Sequence, residues 1–143
     1  ILYGMKQCDI MKISEEEVAF VSEQESLEKG VSFIRDNSDI KILFVTLGNK
    51  GSIAYYKDEK IYCGGIHQEH VVDTTGAGDT FCGAVLSRIL ELGTDALTEK
   101  DIREMLLFAN AAASIVVTRK GALCSMPEPE EIRAASSLID KVL

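Results

Sequence analysis

The sequence predicts a layered α/β domain, and three observations carry that expectation. Strand-like and helix-like segments alternate along the chain. Residues 41–47 form a nearly continuous apolar run, as expected where helices cover both faces of a mostly parallel sheet. A glycine-rich turn at Gly76, Ala77 and Gly78 leads directly into an amphipathic helical segment.

The elements follow in order. Asp9, Ile10, Met11, Lys12 and Ile13 read as a short strand. Ser14 and Glu17 have the S-x-x-E spacing of a capping box, which opens a short helix to about Phe20. Ser22 and Glu25 repeat that spacing. Leu27, Val31 and Ile34 then share one helical face, ended by Asn37 and Ser38. The run 41–47 is a strand bounded by Gly48. Residues 52–56 and 60–63 make a β-hairpin around Lys57, Asp58 and Glu59, closed by Gly64 and Gly65. Val71 and Val72 suggest one more short extended piece. Phe81, Val85, Ile89 and Leu92 line the next helix, with Gly93 as its stop. Thr98 and Asp101 open another, running through Met105, Phe108 and the alanines 111–113 towards Val117. Pro129 starts a last helix near 130–141 that packs through Ile132, Leu138 and Ile139.

Composition narrows the function. The 143 residues are 46% hydrophobic and 27% charged, the balance of one globular domain with a real core. No apolar run approaches the ~20 residues that span a bilayer, and no basic stretch followed by an apolar one marks a leader at the start. The net charge is −8, against the basic face that nucleic acid requires. Residues 1–40 hold nine acidic against four basic residues, and the rest fourteen against eleven, so an anionic ligand fits the second part better. Cys8, Cys63, Cys82 and Cys124 stand apart without a C-x-x-C pair, and His67 and His70 are the only histidines. That spacing argues against zinc and for reduced thiols in a cytoplasmic protein. The opening Ile1 fits a processed product or a piece of something longer.

Most of the chemical information lies between Asp73 and Phe81. An extended segment enters a glycine turn and then a helix N-terminus, whose first N–H groups have no intrahelical partner. Such a turn is an anion site, reinforced by the helix dipole. Asp79 beside those donors is either a helix cap or a group that handles a proton. Asp73, six residues earlier, adds a second acid to the same turn. Familiar phosphate motifs fail: no Gly-Lys-[Ser/Thr] occurs, and the third glycine, Gly83, stands too late for G-x-G-x-x-G. A dinucleotide site would also need an acid ending a second strand about 20 residues on, where a helix reads better. Three further stretches have both a structural and a ligand reading: Thr46 to Ser52, a strand end bracketed by glycines; Asn110 to Ser114, small residues on a helix; and Ser14 with Glu17.

In their order along the chain these motifs resemble the ribokinase-like carbohydrate kinases, the PfkB family. The matching stretches are Lys12 to Glu17, Thr46 to Gly51, Asp73 to Asp79, Asn110, and Thr118 to Ala122, with the likeness closest to bacterial fructokinases. The resemblance implies a ribokinase-like α/β fold and ATP-dependent phosphorylation of a sugar hydroxyl. It makes Asp79 the base, and gives the backbone N–H groups of Gly76, Ala77, Gly78 and Asp79 the transferring phosphoryl. Thr46, Gly48 and Gly51 match the nucleotide turn, and Asn110 a position beside adenine. Lys12, Ser14 and Glu17 match a stretch linked to Mg²⁺ and phosphate, with Ser14 standing where Asn is common. Asp73, Thr75, Val116, Arg119, Gly121 and Ser125 match a pair of loops that binds a monovalent cation such as K⁺.

Members of that family are about twice as long. The resemblance therefore implies that residues 1–143 are the C-terminal, nucleotide-binding half, and that the sugar-contacting and lid half is absent. The expected partners are a nucleotide and a small sugar, with a homo-oligomer possible and no nucleic acid or membrane. Alone, the chain is expected to be inactive. The competing reading is a nucleotide- or phosphate-binding remnant without catalysis. Within the kinase reading fructose comes first, and ribose, 2-keto-3-deoxygluconate and nucleosides are the alternatives.

Overall fold

The computed structural model describes residues 2–139, with side chains from 3 to 137. Its elements run α1 (Leu2–Met5), β1 (Ile10–Ser14), α2 (Glu15–Ser22), α3 (Leu27–Asp36), β2 (Ile42–Thr46), β3 (Gly51–Tyr56), β4 (Glu59–Gly64), α4 (Ala77–Leu92), α5 (Glu99–Val116) and α6 (Pro129–Ile139). One sheet holds the strands in the order β1-β2-β3-β4. β1 and β2 are parallel, joined by α2 and α3, while the β3–β4 hairpin supplies two antiparallel pairings. Among the described residues the sheet is therefore mixed rather than mostly parallel. The cause is local: β2 leaves through a tight turn, and only a crossover longer than that turn could bring β3 back parallel.

Side-chain alternation sorts the strands into two cores. Ile13, Leu43, Val45, Ile53 and Tyr55 pack against Met5, Val18, Val31 and Ile34 of α1, α2 and α3. Ile42, Phe44, Ala54, Tyr56 and Ile61 pack against Phe81, Val85 and Ile89 of α4, and Ile102, Met105, Leu106 and Ala109 of α5. Burial on both faces explains the unbroken apolar run of β2, whose Ile42 to Val45 are all buried. Phe81 meets Phe44 edge-on, ring centroids 6.3 Å apart. Burial of each ring is worth about 1.5–3 kcal/mol, and the contact fixes the N-terminal part of α4 over the middle of β2.

Several expectations change. α1 was not foreseen. Ser22 and Glu25 do not cap: Ser22 is the last residue of α2, and its Oγ donates to Val18 O at 2.7 Å. The residue before α3 is Ser26, which makes no side-chain cap. Val71 and Val72 join no strand; Val72 N donates to Val117 O at 2.7 Å instead. Leu92 is exposed rather than packed. The stretch beyond Ile139, and the packing expected of Leu138 and Ile139, lie outside the described residues. Among the described residues no helix is long and apolar enough to cross a membrane.

Candidate active site

The N-terminus of α4 is the centre of the candidate site. Gly76 occupies the N-cap position with φ +84° and offers no side chain to the helix. A Cβ there would meet Ala122 Cβ at 3.2 Å, so glycine also admits the 118–125 segment. Ala77 N donates to Thr74 O and Thr80 N to Gly76 O. The N–H groups of Gly78 and Asp79 lie between them and have no backbone partner among the described residues. A Cβ on Gly78 would lie 2.9 Å from Lys12 Nζ. The ammonium of Lys12 therefore rests against the first turn of α4, where the helix end is already positive. Two positive features side by side favour an anion between them.

Asp79 is the third residue of α4 and is exposed. Its carboxylate accepts no hydrogen bond among the described residues, so any stabilisation it gives α4 comes through the helix dipole and not through a side-chain cap. It borders a groove of about 650 Å³ that runs between α4, α5 and α6 past Thr80, Leu107, Phe108 and Pro127. A larger groove, about 860 Å³, lies between α3 and the β3–β4 turn beside Arg35, Lys41, Tyr55 and Lys57, and holds none of the candidate residues.

The strand ends meet close by. Ser14, Thr46 and Ser52 are register partners across β1, β2 and β3. Ser14 and Glu17 form a full capping box: Glu17 N donates to Ser14 Oγ at 3.2 Å, and Ser14 N to Glu17 Oε2 at 2.8 Å. Capping thus occupies both side chains. Backbone N–H donation at Glu16, aided by the Ser14 hydroxyl and by Lys50 and Lys12, holds the Glu16 carboxyl below its ordinary range. Lys50 Nζ pairs with Glu15 Oε1 at 3.2 Å and ties the nucleotide-like turn to α2.

In that turn the two glycines differ. Gly51 has φ +110°, and a Cβ there would lie 2.2 Å from Cys63 O, so it is required by backbone contact with β4. Gly48 has φ +59° and open space around it, so conformation and not packing calls for glycine there. Asn110 is 7% exposed. Its Oδ1 accepts from Ser52 Oγ at 2.9 Å, and its Nδ2 donates to Cys63 O and Gly64 O, both at 3.2 Å. The side chain ties α5 to the hairpin, so a place beside adenine would come through backbone and shape, not through a free amide. The alanines that follow, Ala111 and Ala112, are fully buried.

Asp73 joins two loops. Its Oδ1 accepts from Thr75 N at 2.9 Å and its Oδ2 from Gly121 N at 3.3 Å. These donors, Thr75 first, hold its carboxyl below the ordinary aspartate range. Arg119 N donates to Val116 O at 3.0 Å. Ser125 Oγ donates to Gly121 O and to Ala122 O. Arg119 also reaches Ser125 O and Glu131. Asp73, Thr75 and the 116–125 segment are therefore one contact patch. Among the described residues no three His, Cys, Asp or Glu cluster as a metal site.

The placement of Lys12 against Gly78 was not legible from spacing, because 66 residues separate them. Its signal was a lysine inside an otherwise apolar strand. The contact of Ala122 with Gly76 had no such signal.

A mixed sheet sandwiched by helices, with a glycine turn and helix N-terminus at the strand ends, defines an α/β protein with a candidate anion site. Residues 1–129 match the family described as pfkB family carbohydrate kinase, and the chain belongs to that family. It is 39% identical over 134 residues to fructokinase-1 of Oryza sativa subsp. japonica, covering 92% of this chain and 41% of the relative. Its fold is similar to that of a double-mutant fructokinase from Vibrio cholerae O395 bound to fructose, ADP and potassium. There the TM-score is 0.84 at 30% identity, over 94% of this chain and 42% of that one. Arabidopsis thaliana ribokinase complexed with ribose and ATP matches with a TM-score of 0.81 at 32% identity, over 95% and 43%. The chain spans about two-fifths of the length of the relatives it matches.

Proposed function

We propose that this chain supplies the nucleotide and phosphoryl-transfer part of an ATP-dependent sugar kinase, with fructose as the first substrate. The observation that carries the reading is Lys12 Nζ against Gly78, at a helix N-terminus with two unpartnered N–H groups and the unengaged carboxylate of Asp79 beside them. Phosphoryl transfer is mostly positioning and electrostatic stabilisation of spread negative charge. Lys12 and the free N–H groups of Gly78 and Asp79 hold the transferring phosphoryl, while Ala77 N, already bonded to Thr74 O, is spent on the turn rather than on the phosphoryl that its family match implied. Asp79, exposed beside that turn, takes the proton of the attacking sugar hydroxyl. The Thr46–Gly51 turn, open at Gly48, receives the rest of the nucleotide, with Asn110 keeping the hairpin and α5 in register beneath it.

Mg²⁺ suits this site as a partner of nucleotide phosphates with few protein ligands; Glu17, whose carboxylate keeps lone pairs beyond its bond to Ser14 N, would hold it with Ser14 alongside, and it would neutralise phosphate charge. The donors of Asp73, Thr75, Val116, Arg119, Gly121 and Ser125 are carboxylate, carbonyl and hydroxyl oxygens gathered in one patch. Each oxygen already hydrogen-bonded there keeps a second lone pair, so the set fits a large monovalent ion such as K⁺. Its field would favour negative charge at the neighbouring turn. The sugar-holding contacts come from polypeptide equivalent to the unspanned part of the relatives.

Calorimetry with MgADP tests the nucleotide part. The chain should bind ADP, Lys12→Ala should weaken binding about tenfold, and Asp79→Asn should leave it intact. The substrate is tested by ADP release over a panel of fructose, ribose, 2-keto-3-deoxygluconate and nucleosides with a whole kinase that carries this sequence. No heat at millimolar MgADP would overturn the reading.

A further inference from the structure

The turn that follows β2 is held by β4. Tyr62 stands opposite Ile53 across the β3–β4 hairpin and is 50% exposed. Phenylalanine suits such a strand position equally well, so the ring does not explain the hydroxyl. That hydroxyl donates to Lys50 O at 2.7 Å, the ordinary length of an O–H···O bond. Gly65 N donates to the same oxygen at 3.1 Å, so both lone pairs of the Lys50 carbonyl are taken.

The other end of this peptide is bonded too, because Gly51 N donates to Gly48 O. Gly51 has φ +110°, and glycine takes positive and negative φ about equally well. Its own preference therefore does not fix the plane of the Lys50–Gly51 peptide, and the hydrogen bonds do. Of these three bonds, the one from Tyr62 is made by a side chain. The plane controls the segment before it. The N–H groups of Gly48 and Asn49 have no backbone partner among the described residues and lie in an exposed turn. A Cβ on Gly65 would lie 2.2 Å from Asn49 O, so the end of β4 presses on the same turn. Lys50 Nζ meets Glu15 on the other side, but that pair is exposed and worth little. Tyr62 is itself held, since Arg103 of α5 donates to Tyr62 O at 3.3 Å and pairs with Glu99 at 2.8 Å.

We infer that Tyr62 is a positioning residue for the nucleotide: through the Lys50 carbonyl it holds the Gly48–Lys50 turn in the shape that leaves the Gly48 and Asn49 N–H groups free for a ligand. It acts through the backbone and not by contact with the nucleotide. The inference rests on the reading of residues 46–51 as the nucleotide turn.

Tyr62→Phe removes one oxygen from an exposed site and tests it. In the chain without nucleotide, hydrogen exchange at the Gly51 and Gly65 amides should quicken about three- to tenfold, the worth of one net hydrogen bond. The melting midpoint should stay within about 4 °C of the parent. Calorimetry should show MgADP binding weakened by the same three- to tenfold. In a whole kinase carrying this sequence, KM for ATP should rise by that factor with kcat unchanged, as when ground state and transition state lose the same contact. Unchanged exchange at Gly51 and Gly65 overturns the inference. So does faster exchange with unchanged MgADP affinity, a lower kcat with KM for ATP held, or a midpoint lowered by more than about 4 °C. A parent chain that gives no heat with MgADP overturns the nucleotide reading and this inference with it. A parent that binds, with a variant that binds equally well, overturns the inference alone.

Discussion

Replacing Asn110 with alanine separates a structural tie from a ligand contact. The amide is 7% exposed and makes three hydrogen bonds, to Ser52, Cys63 and Gly64. Ser52 is fully buried and Cys63 is 9% exposed, whereas Gly64 is open to solvent. Truncation therefore strands one buried group, the Ser52 hydroxyl, because the Cys63 carbonyl keeps its ladder bond opposite Ser52 and water can replace the third bond. A stranded group costs about 1–3 kcal/mol, and about 2 kcal/mol is expected. A domain of this size loses about 2–4 °C of melting midpoint per kcal/mol, so Asn110→Ala should melt about 4–8 °C lower. Asn110→Asp keeps the shape but sets an oxygen against two carbonyls, and should be at least as damaging at neutral pH. Thermal melts followed by circular dichroism, with urea titrations to confirm an unchanged m-value, provide the measurement. A variant within 1 kcal/mol of the parent that has lost ADP binding would refute this account, because the side chain would then serve the nucleotide rather than the hairpin.

Other expectations follow from the same contacts. Gly51→Ala should destabilise by more than about 3 kcal/mol, combining positive φ with a Cβ placed on Cys63 O. Gly78→Ala meets only the tip of a flexible lysine, so its melting should hardly move while its affinity for MgADP falls; a matched loss of both would contradict the assigned place of Lys12. In a whole kinase carrying this sequence, Asp79→Asn should lower turnover by about 10²–10⁴-fold with a stability change under about 1 kcal/mol, read from initial rates and melts on the same sample. Asp73 has a folded pKa below its ordinary value. Its contribution is thus complete above about pH 4, the usual aspartate range, and is lost as pH falls through the lowered value. Asp73→Asn should therefore show a shallower loss of stability between pH 4 and 2 than the parent, and identical slopes would count against the Asp73–Gly121 tie.

Local pattern carried the elements well because each depended on a few neighbouring residues. The capping boxes at Ser14–Glu17 and Thr98–Asp101 form as their spacing suggests. The hairpin turns at Lys57, with φ +52°, and β2 is buried as its composition implies. Two of the failures share one cause, competition from another element. Ser22 was claimed by the end of α2, where its hydroxyl bonds back to Val18, so the S-x-x-E spacing at 22–25 had no helix to start. Val72 was claimed by Val117, 45 residues on. For the site, the glycine turn was readable because chain direction, glycine and helix start are consecutive. The apposition of Lys12 with Gly78, Asp73 with Gly121, and Gly76 with Ala122 depends on how β1, α4 and the 118–125 segment pack, which no local spacing encodes.

The packing also divides the candidate residues by what their side chains have left to give. Ser14 and Glu17 satisfy each other across a capping box. Asn110 is spent on the hairpin, Asp73 on two backbone N–H groups, and Gly51 on a contact with β4. These residues fix the positions of strand ends, turn and loop. Lys12 and Asp79 are different: among the described residues neither makes a hydrogen bond or an ion pair, though they flank the same helix turn. A lysine and an aspartate so placed would gain by pairing directly, and Lys12 has flexible reach. Instead its ammonium lies over Gly78, where only the absence of a Cβ makes room. Under the proposed function, Lys12 faces the negative phosphoryl and Asp79 the hydroxyl that carries a proton. The proposed function thus rests on the two charged candidate side chains that the fold itself leaves unengaged among the described residues.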